Sequence, residues 1–484
     1  MSHPYVRPPD GGHPHQAPRE QHPPPFPGAP YPLAPPHWPA DPGEPAGPAR
    51  RSRRMWLIAA AVLLVASLCG GSLMWIANGL TDDPADVAAG ETAPDPVLER
   101  LRAQRERLER AEADERALLD AKQNAAAATL RAQADALLRG NRGRFLGATD
   151  PAAKRSVAWL SERFSTLRAM GVRQWAPTVT EFRRYDPTTE RWISTVRVNY
   201  CFAEQSCAPV PLDLHTMWKI GQDNVARIVE VWPKAYSGTV APPWTESTLR
   251  ATVGKRVVVA ATARNAGRIP SVLATAEAAA RAADKYASGT APTRYVVYLA
   301  SEKEWDAWAR SDIGEWVAGF AQGQAQSVVI RLSALANTDL RLLLRHELAH
   351  VATLGGGTRS RDRAATWWLV EGLAEYAAMD GRPVSAYPER SQTRRFVRGT
   401  WGGELTVAQP GRKASQQEAS ARYGVAYLGV SCLATRYGRA KMLAFFRAVV
   451  LESRGLVAAS PPALGAQWPV VTKQCAAYIR RAAG

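Results

Sequence analysis

The sequence predicts an α+β protein. It expects a single N-terminal transmembrane helix, a helical stalk, a small α+β domain, and a C-terminal mixed α/β domain with a mainly helical end. Three observations carry this. Residues 55–77 contain no charged side chain. Residues 96–139 contain neither proline nor glycine after Pro96 and are rich in Ala, Leu, Arg and Glu, a strong helix composition. Beyond residue 150, strand-like and helix-like runs alternate between turn signals.

Residues 1–54 form the first segment. Seventeen of the chain's 36 prolines lie in residues 1–49, where no apolar period survives. Proline removes backbone donors and resists helix, so a disordered, partly polyproline-II tail is expected. Arg50, Arg51, Arg53 and Arg54 then precede the apolar run 55–77, and Asp82 and Asp83 follow it. About 20 apolar residues span a bilayer as a helix, and basic residues stay on the cytoplasmic side. A single-pass cell-membrane protein is therefore expected, with a cytoplasmic N-terminus and an extracytoplasmic catalytic domain. Residues 78–140 are read as linker and stalk.

Charge and cysteine use fit that expectation. The 484-residue chain has 61 Lys and Arg against 44 Asp and Glu, a formal charge of +17. An anionic cell-envelope surface is a candidate partner. No nucleic-acid motif is present, and no nucleic-acid partner is expected. Cys69 falls in the apolar run. Cys201, Cys207, Cys432 and Cys475 form an even set that allows three disulfide pairings. Pairs 201–207 and 432–475 are preferred, because each then stays within one domain.

Residues 141–245 read as a helix (Ala152–Met170) followed by strands at Thr178–Tyr185, Trp192–Phe202, Pro211–Ile220 and Val225–Trp232, with turns at Asp186-Pro187 and Gly221-Gln222-Asp223. This order resembles small NTF2-like α+β domains in pattern alone. His215, in the third strand, is read as structural. Pro242-Pro243 marks the next boundary, so residues 246–484 form the last domain. There the pattern gives strands at Arg256–Ala261, Arg294–Ala300 and Ser327–Leu332, with helices at Val272–Ala287 and Glu302–Arg310. Trp305, Trp308 and Trp316 are read as core or rim aromatics.

The chemistry concentrates at His346-Glu347-Leu348-Ala349-His350. Five of the eight histidines lie in the first 37 residues, which leaves three for any folded part. The motif sits in a stretch of helical composition, with Asn337 or Thr338 as candidate N-cap and Gly355-Gly356-Gly357 as its stop. Residues i and i+4 share a helix face, so both imidazoles can bind one metal ion, with Glu347 beside them as a proton acceptor.

Downstream runs Trp367-Trp368-Leu369-Val370-Glu371-Gly372-Leu373-Ala374-Glu375-Tyr376. Together the two motifs resemble the gluzincin metallopeptidases, whose second motif follows a W-L-x-E-G-x-A-E-Y form. The resemblance implies one zinc ion per chain held by His346, His350 and Glu371. It also implies Glu347 as general base toward a zinc-activated water. Glu375, one turn beyond Glu371, could hold the second ring N–H of a ligand histidine. Gly372 is expected to let two helices approach closely around the metal.

A tyrosine after the second motif often stabilises the oxyanion in such families. Tyr423 is the first candidate and Tyr427 the second. Ser327–Leu332 is expected to be the edge strand beside which a peptide lies extended. Residues Asp380–Ser420, rich in Arg, Gly and Ser and with little periodicity, are expected to form a mobile cleft rim that favours acidic residues in a substrate. The reading that follows is a zinc metallopeptidase acting on peptide or protein substrates. The alternative is a non-proteolytic or latent zincin-fold protein with an envelope-binding or regulatory role.

Overall fold

Alternation of β-branched residues builds two sheets. The computed structural model describes residues 95–484, apart from 187, 205–209, 234–240, 310–312, 323–325, 337 and 356–362. A long helix, α1 (Pro96–Arg139), opens this part, with Asp95 capping its first turn. Its first half is exposed, and Ala126, Leu130 and Leu137 in its second half are buried. Two helices follow, α2 (Arg142–Leu146) and α3 (Lys154–Ala169).

Next comes an antiparallel meander of β1 (Val172–Arg184), β2 (Arg191–Phe202), β3 (Val210–Ile220) and β4 (Ala226–Pro233), in spatial order β1-β2-β3-β4. The helices cover one face of this sheet, and Trp192, Trp218 and Phe164 fill the space between. His215 lies on β3 with its ring 5.7 Å from that of Trp232. Arg163 is 2% exposed and donates to the carbonyl of Thr245, which ties α3 to the chain leaving the first sheet.

The second sheet has five strands in the order β5-β6-β7-β9-β8. These are β5 (Leu249–Val253), β6 (Val257–Thr262), β7 (Tyr295–Ala300), β8 (Gly319–Gln322) and β9 (Ser327–Arg331). Pairing is parallel for β6/β7 and β7/β9, and antiparallel at both edges. Successive side chains of a strand point to opposite faces. Val257, Val259 and Ala261 therefore pack against α4 (Ile269–Ala283) and α6 (Leu340–Leu354). Val258 and Ala260 join the core of the first sheet instead, with Trp305 and Trp308 of α5 (Glu302–Trp308).

A helical layer completes the chain. It comprises α7 (Arg363–Met379), α8 (Arg390–Gly399), α9 (Gln416–Tyr437), α10 (Arg439–Phe446), α11 (Leu456–Leu464) and α12 (Trp468–Ala483). Its core joins Trp368, Leu373, Phe445, Phe446 and Ile479.

Several expectations change. No helix among the described residues is long and apolar enough to cross a membrane. The longest, α1, is dense in Arg and Glu, which hydrocarbon excludes. Residues 55–77, which carried the expected span, lie outside the described residues. The expectation of a single-pass membrane protein with an extracytoplasmic catalytic domain is therefore corrected and not pursued. Ser327–Arg331 is an inner strand, because the short β8 pairs outside it and takes the edge. The segment Asp380–Ser420, where little periodicity is legible, holds a regular helix, α8.

Cys432 and Cys475 form the expected disulfide between α9 and α12. Cys201 is also disulfide-bonded, while Cys207, its expected partner, lies outside the described residues. The 432–475 bridge closes a loop with a sequence separation of 43. Chain entropy alone makes such a closure worth about 4 kcal/mol. Replacing both cysteines by alanine should lower the stability of residues 95–484 by about that much, read as a lower urea midpoint with a slope no shallower than wild type, because the unfolded chain is then less compact.

Candidate metal centre

Asp339, rather than Asn337 or Thr338, caps α6. Its carboxylate accepts from the Arg341 N–H at 2.8 Å. Gly355 ends the helix in the left-handed region at φ 32°. Between these caps, His346 and His350 face the same way one turn apart. Arg345 donates to the carbonyl of Ala378 at 3.3 Å and fastens α6 to the end of α7. Glu371 and Glu375 stand one turn apart on α7, opposite the two imidazoles.

The three expected ligands converge. His350 Nε2 lies 3.1 Å from His346 Nε2 and 3.2 Å from Glu371 Oε2. His346 Nε2 lies 3.3 Å from the same oxygen. Donors bound to a tetrahedral zinc at about 2.0–2.1 Å stand about 3.3 Å from one another. The triangle thus has the edges such an ion requires, with an imidazole, imidazole, carboxylate donor set. The group is buried: His346 is 9% and His350 7% exposed. His346, His350 and Glu371 form a group that could hold a metal ion.

The surrounding groups orient the triangle. His346 Nδ1 lies 3.1 Å from Glu375 Oε1, which fixes its proton on that side and leaves Nε2 for a metal. Glu347 is 5% exposed. Burial pushes its carboxyl pKa up against the pull of both imidazoles. Burial alone would lower the pKa of His346, but Glu371, Glu375 and Glu347 outweigh it and raise it well above the ordinary value. Burial likewise favours a neutral Glu371, yet the two imidazoles hold its carboxyl well below the usual range. Without a metal, the carboxylates favour the protonated form of the His346 ring and the imidazoles favour the ionised form of Glu371.

Tyr423 of α9 reaches the same place. Its ring centroid is 6.0 Å from that of His346. Burial and then the charges of Glu371, Glu347 and Glu375 raise its pKa, so the phenol keeps its proton. Tyr427, one turn further on, stacks on Tyr387 at 4.4 Å within the helical core. Of the two tyrosine candidates, Tyr423 is the one beside the imidazoles.

Gly372 has a different neighbour from the one expected. A Cβ there would fall 2.8 Å from both the Ala426 carbonyl carbon and Val430 Cγ2. It therefore lets α7 close on α9, which brings Tyr423 to the site, rather than on α6. Three residues were not singled out as site residues in the sequence. Gly319 at the start of β8 runs against Glu347, and a Cβ there would sit 3.1 Å from its Oε1. Trp316 and Trp367 flank Tyr423, with ring centroids 5.7 and 5.1 Å away. Trp367 was in view as part of the second motif. The other two carry no signal except closeness in the fold.

No protein-family model matches this chain, and no characterised protein matches it in sequence.

His346→Ala or Glu371→Ala should abolish binding of one metal ion per chain, while Glu347→Gln should retain it, as read by elemental analysis after dialysis. A metal must displace the proton of His346. Uptake at neutral pH should therefore release about one proton, measured by titration calorimetry in buffers of different ionisation enthalpy. Below the raised pKa of His346, apparent affinity should fall about tenfold per pH unit for each proton displaced.

Proposed function

We propose that this protein is a zinc-dependent metallopeptidase that hydrolyses peptide bonds with Glu347 as general base. The observation that supports this reading is the His346–His350–Glu371 triangle, with the buried Glu347 carboxyl close enough to feel both imidazoles. A bound zinc would supply Lewis acidity, polarising a carbonyl oxygen and making a water easier to deprotonate.

The chain's own residues divide the remaining work. Glu347 takes the proton of the attacking water and passes it to the leaving amine. Its raised pKa brings its basicity nearer to neutral than an ordinary glutamate's. Tyr423, held protonated by burial and the nearby carboxylates, donates to the developing oxyanion. Glu375 holds the His346 ring in one tautomer. The edge strand β8, whose Gly319 abuts Glu347, offers its free backbone to an extended peptide.

One observation favours the second reading, a latent zincin-fold protein. Trp316 covers Tyr423 and donates Nε1–H to the carbonyl of Gly411 at 3.1 Å. Beside it, the Glu315 N–H donates to the carbonyl of Arg412 at 3.4 Å. These bonds join the approach to β8 with the loop before α9, next to Tyr423.

Glu347→Gln should keep metal and lower kcat on a peptide library by 10³-fold or more, read by mass spectrometry. Full activity in that variant would remove Glu347 from the mechanism. If these bonds hold the site closed, Trp316→Ala should raise turnover and speed stripping of the metal by a chelator. Unchanged rates in both would dismiss this closure.

A further inference from the structure

The positive charge of this chain is not spread evenly. Residues 390–484 hold 15 Lys and Arg against 3 Asp and Glu, a formal +12 of the chain's +17. Some of these cations are committed inside the helical layer. Arg390 and Arg394 donate to the carbonyls of Ala482 and Ala483 at the end of α12. Arg422 pairs with Glu418, and Arg480 lies over the Trp401 ring.

Three others face a groove. Arg436, Lys473 and Arg481 are exposed around a groove of about 660 Å³, and among the described residues none of them is paired with a carboxylate. No acidic side chain lines the groove. Lys473, Ala477 and Arg481 recur every fourth residue along one face of α12, so the two cations stand about 12 Å apart along the helix with only a methyl group between them. Gln474 accepts from Arg436 Nε at 3.0 Å and from the Tyr437 hydroxyl at 2.9 Å, which holds the third cation over the same channel.

We propose that this groove is a docking surface for a linear polymer carrying phosphate groups. The shape favours a strand over a bilayer. A membrane-binding face presents large apolar side chains to the acyl region, whereas this groove offers Pro469, Ala477 and a half-exposed Val470. The cation types favour phosphate, since two of the three are guanidiniums, which grip phosphate oxygens in pairs. A chain with a charge on each repeat can meet Lys473 and Arg481 in turn while Arg436 closes over it. Docking there leaves the metal centre's residues untouched.

The test uses the full chain and fluorescein-labelled inorganic polyphosphate, read by anisotropy across a salt series. The double variant Lys473→Glu, Arg481→Glu should bind at least tenfold more weakly. The slope of log affinity against log salt should also become shallower by about two. A charge-matched variant on the exposed half of α1, Arg102→Glu with Arg107→Glu, should bind like wild type. Metal content should be the same in all three. Equal binding by the double variant, or an equal loss in the α1 control, would overturn the proposal. It would also be overturned if the groove substitutions reduced sedimentation with phosphatidylglycerol vesicles but not polyphosphate binding, because the surface would then be a membrane contact.

Discussion

Five ionisable side chains gather at one place: His346, His350 and Glu347, which are buried, and Glu371 and Glu375, which are half-buried. Three carboxylates brought this close repel one another and lose water, an arrangement that is stable only when positive charge is supplied. Without a metal the positive charge comes from a proton on His346. A divalent ion would supply it better, because it would satisfy three donors at once and let the imidazole return to neutrality. Much of the local architecture follows from that need. The capped ends of α6, the Arg345 bond to α7 and the Glu375 contact all hold donor atoms in place before any ligand arrives.

The larger fold serves the same alignment. Strands β6, β7 and β9 are covered on both faces, and α6 is pinned on one of them with its histidines turned toward the helical layer. From that layer α7 brings two glutamates and α9 brings a tyrosine. Gly372 is the point where the backbones of α7 and α9 come closest, at the Ala426 carbonyl, with no room for a methyl group. Gly319 does the same for β8 against Glu347. The disulfide from Cys432 to Cys475 ties α9 to α12 on the far side of the layer and keeps α9 from shifting.

Local pattern was legible in the sequence where one residue type implied one geometry. Two histidines four apart on a helix share a face, and a glutamate with another one turn later must face them together if their helix packs alongside. The meander was legible because its strands alternate and are broken by turn residues. The edge of the second sheet was not, since Gly-Phe-Ala-Gln is too short to show a period. Helix α8 was hidden by arginines that serve as ties to α12 rather than as loop solvation. The N-cap was misplaced because Asp339 competes with two equally plausible neighbours. Choosing Tyr423 over Tyr427 needed the packing of α9, and the contact of Gly372 needed knowledge of which helix lies behind it.

A zinc peptidase needs three protein donors with room for a fourth group, a base near that vacancy, and a proton donor for the oxyanion. The arrangement of His346, His350, Glu371, Glu347 and Tyr423 supplies candidates for each. X-ray absorption at the zinc edge of the zinc-loaded protein tests the centre of this account most directly. It predicts a four-coordinate ion with two imidazole nitrogens and light oxygen donors at about 2.0–2.1 Å. Sulfur in the shell, six oxygen donors without imidazole, or the same spectrum from the His350→Ala variant would contradict it.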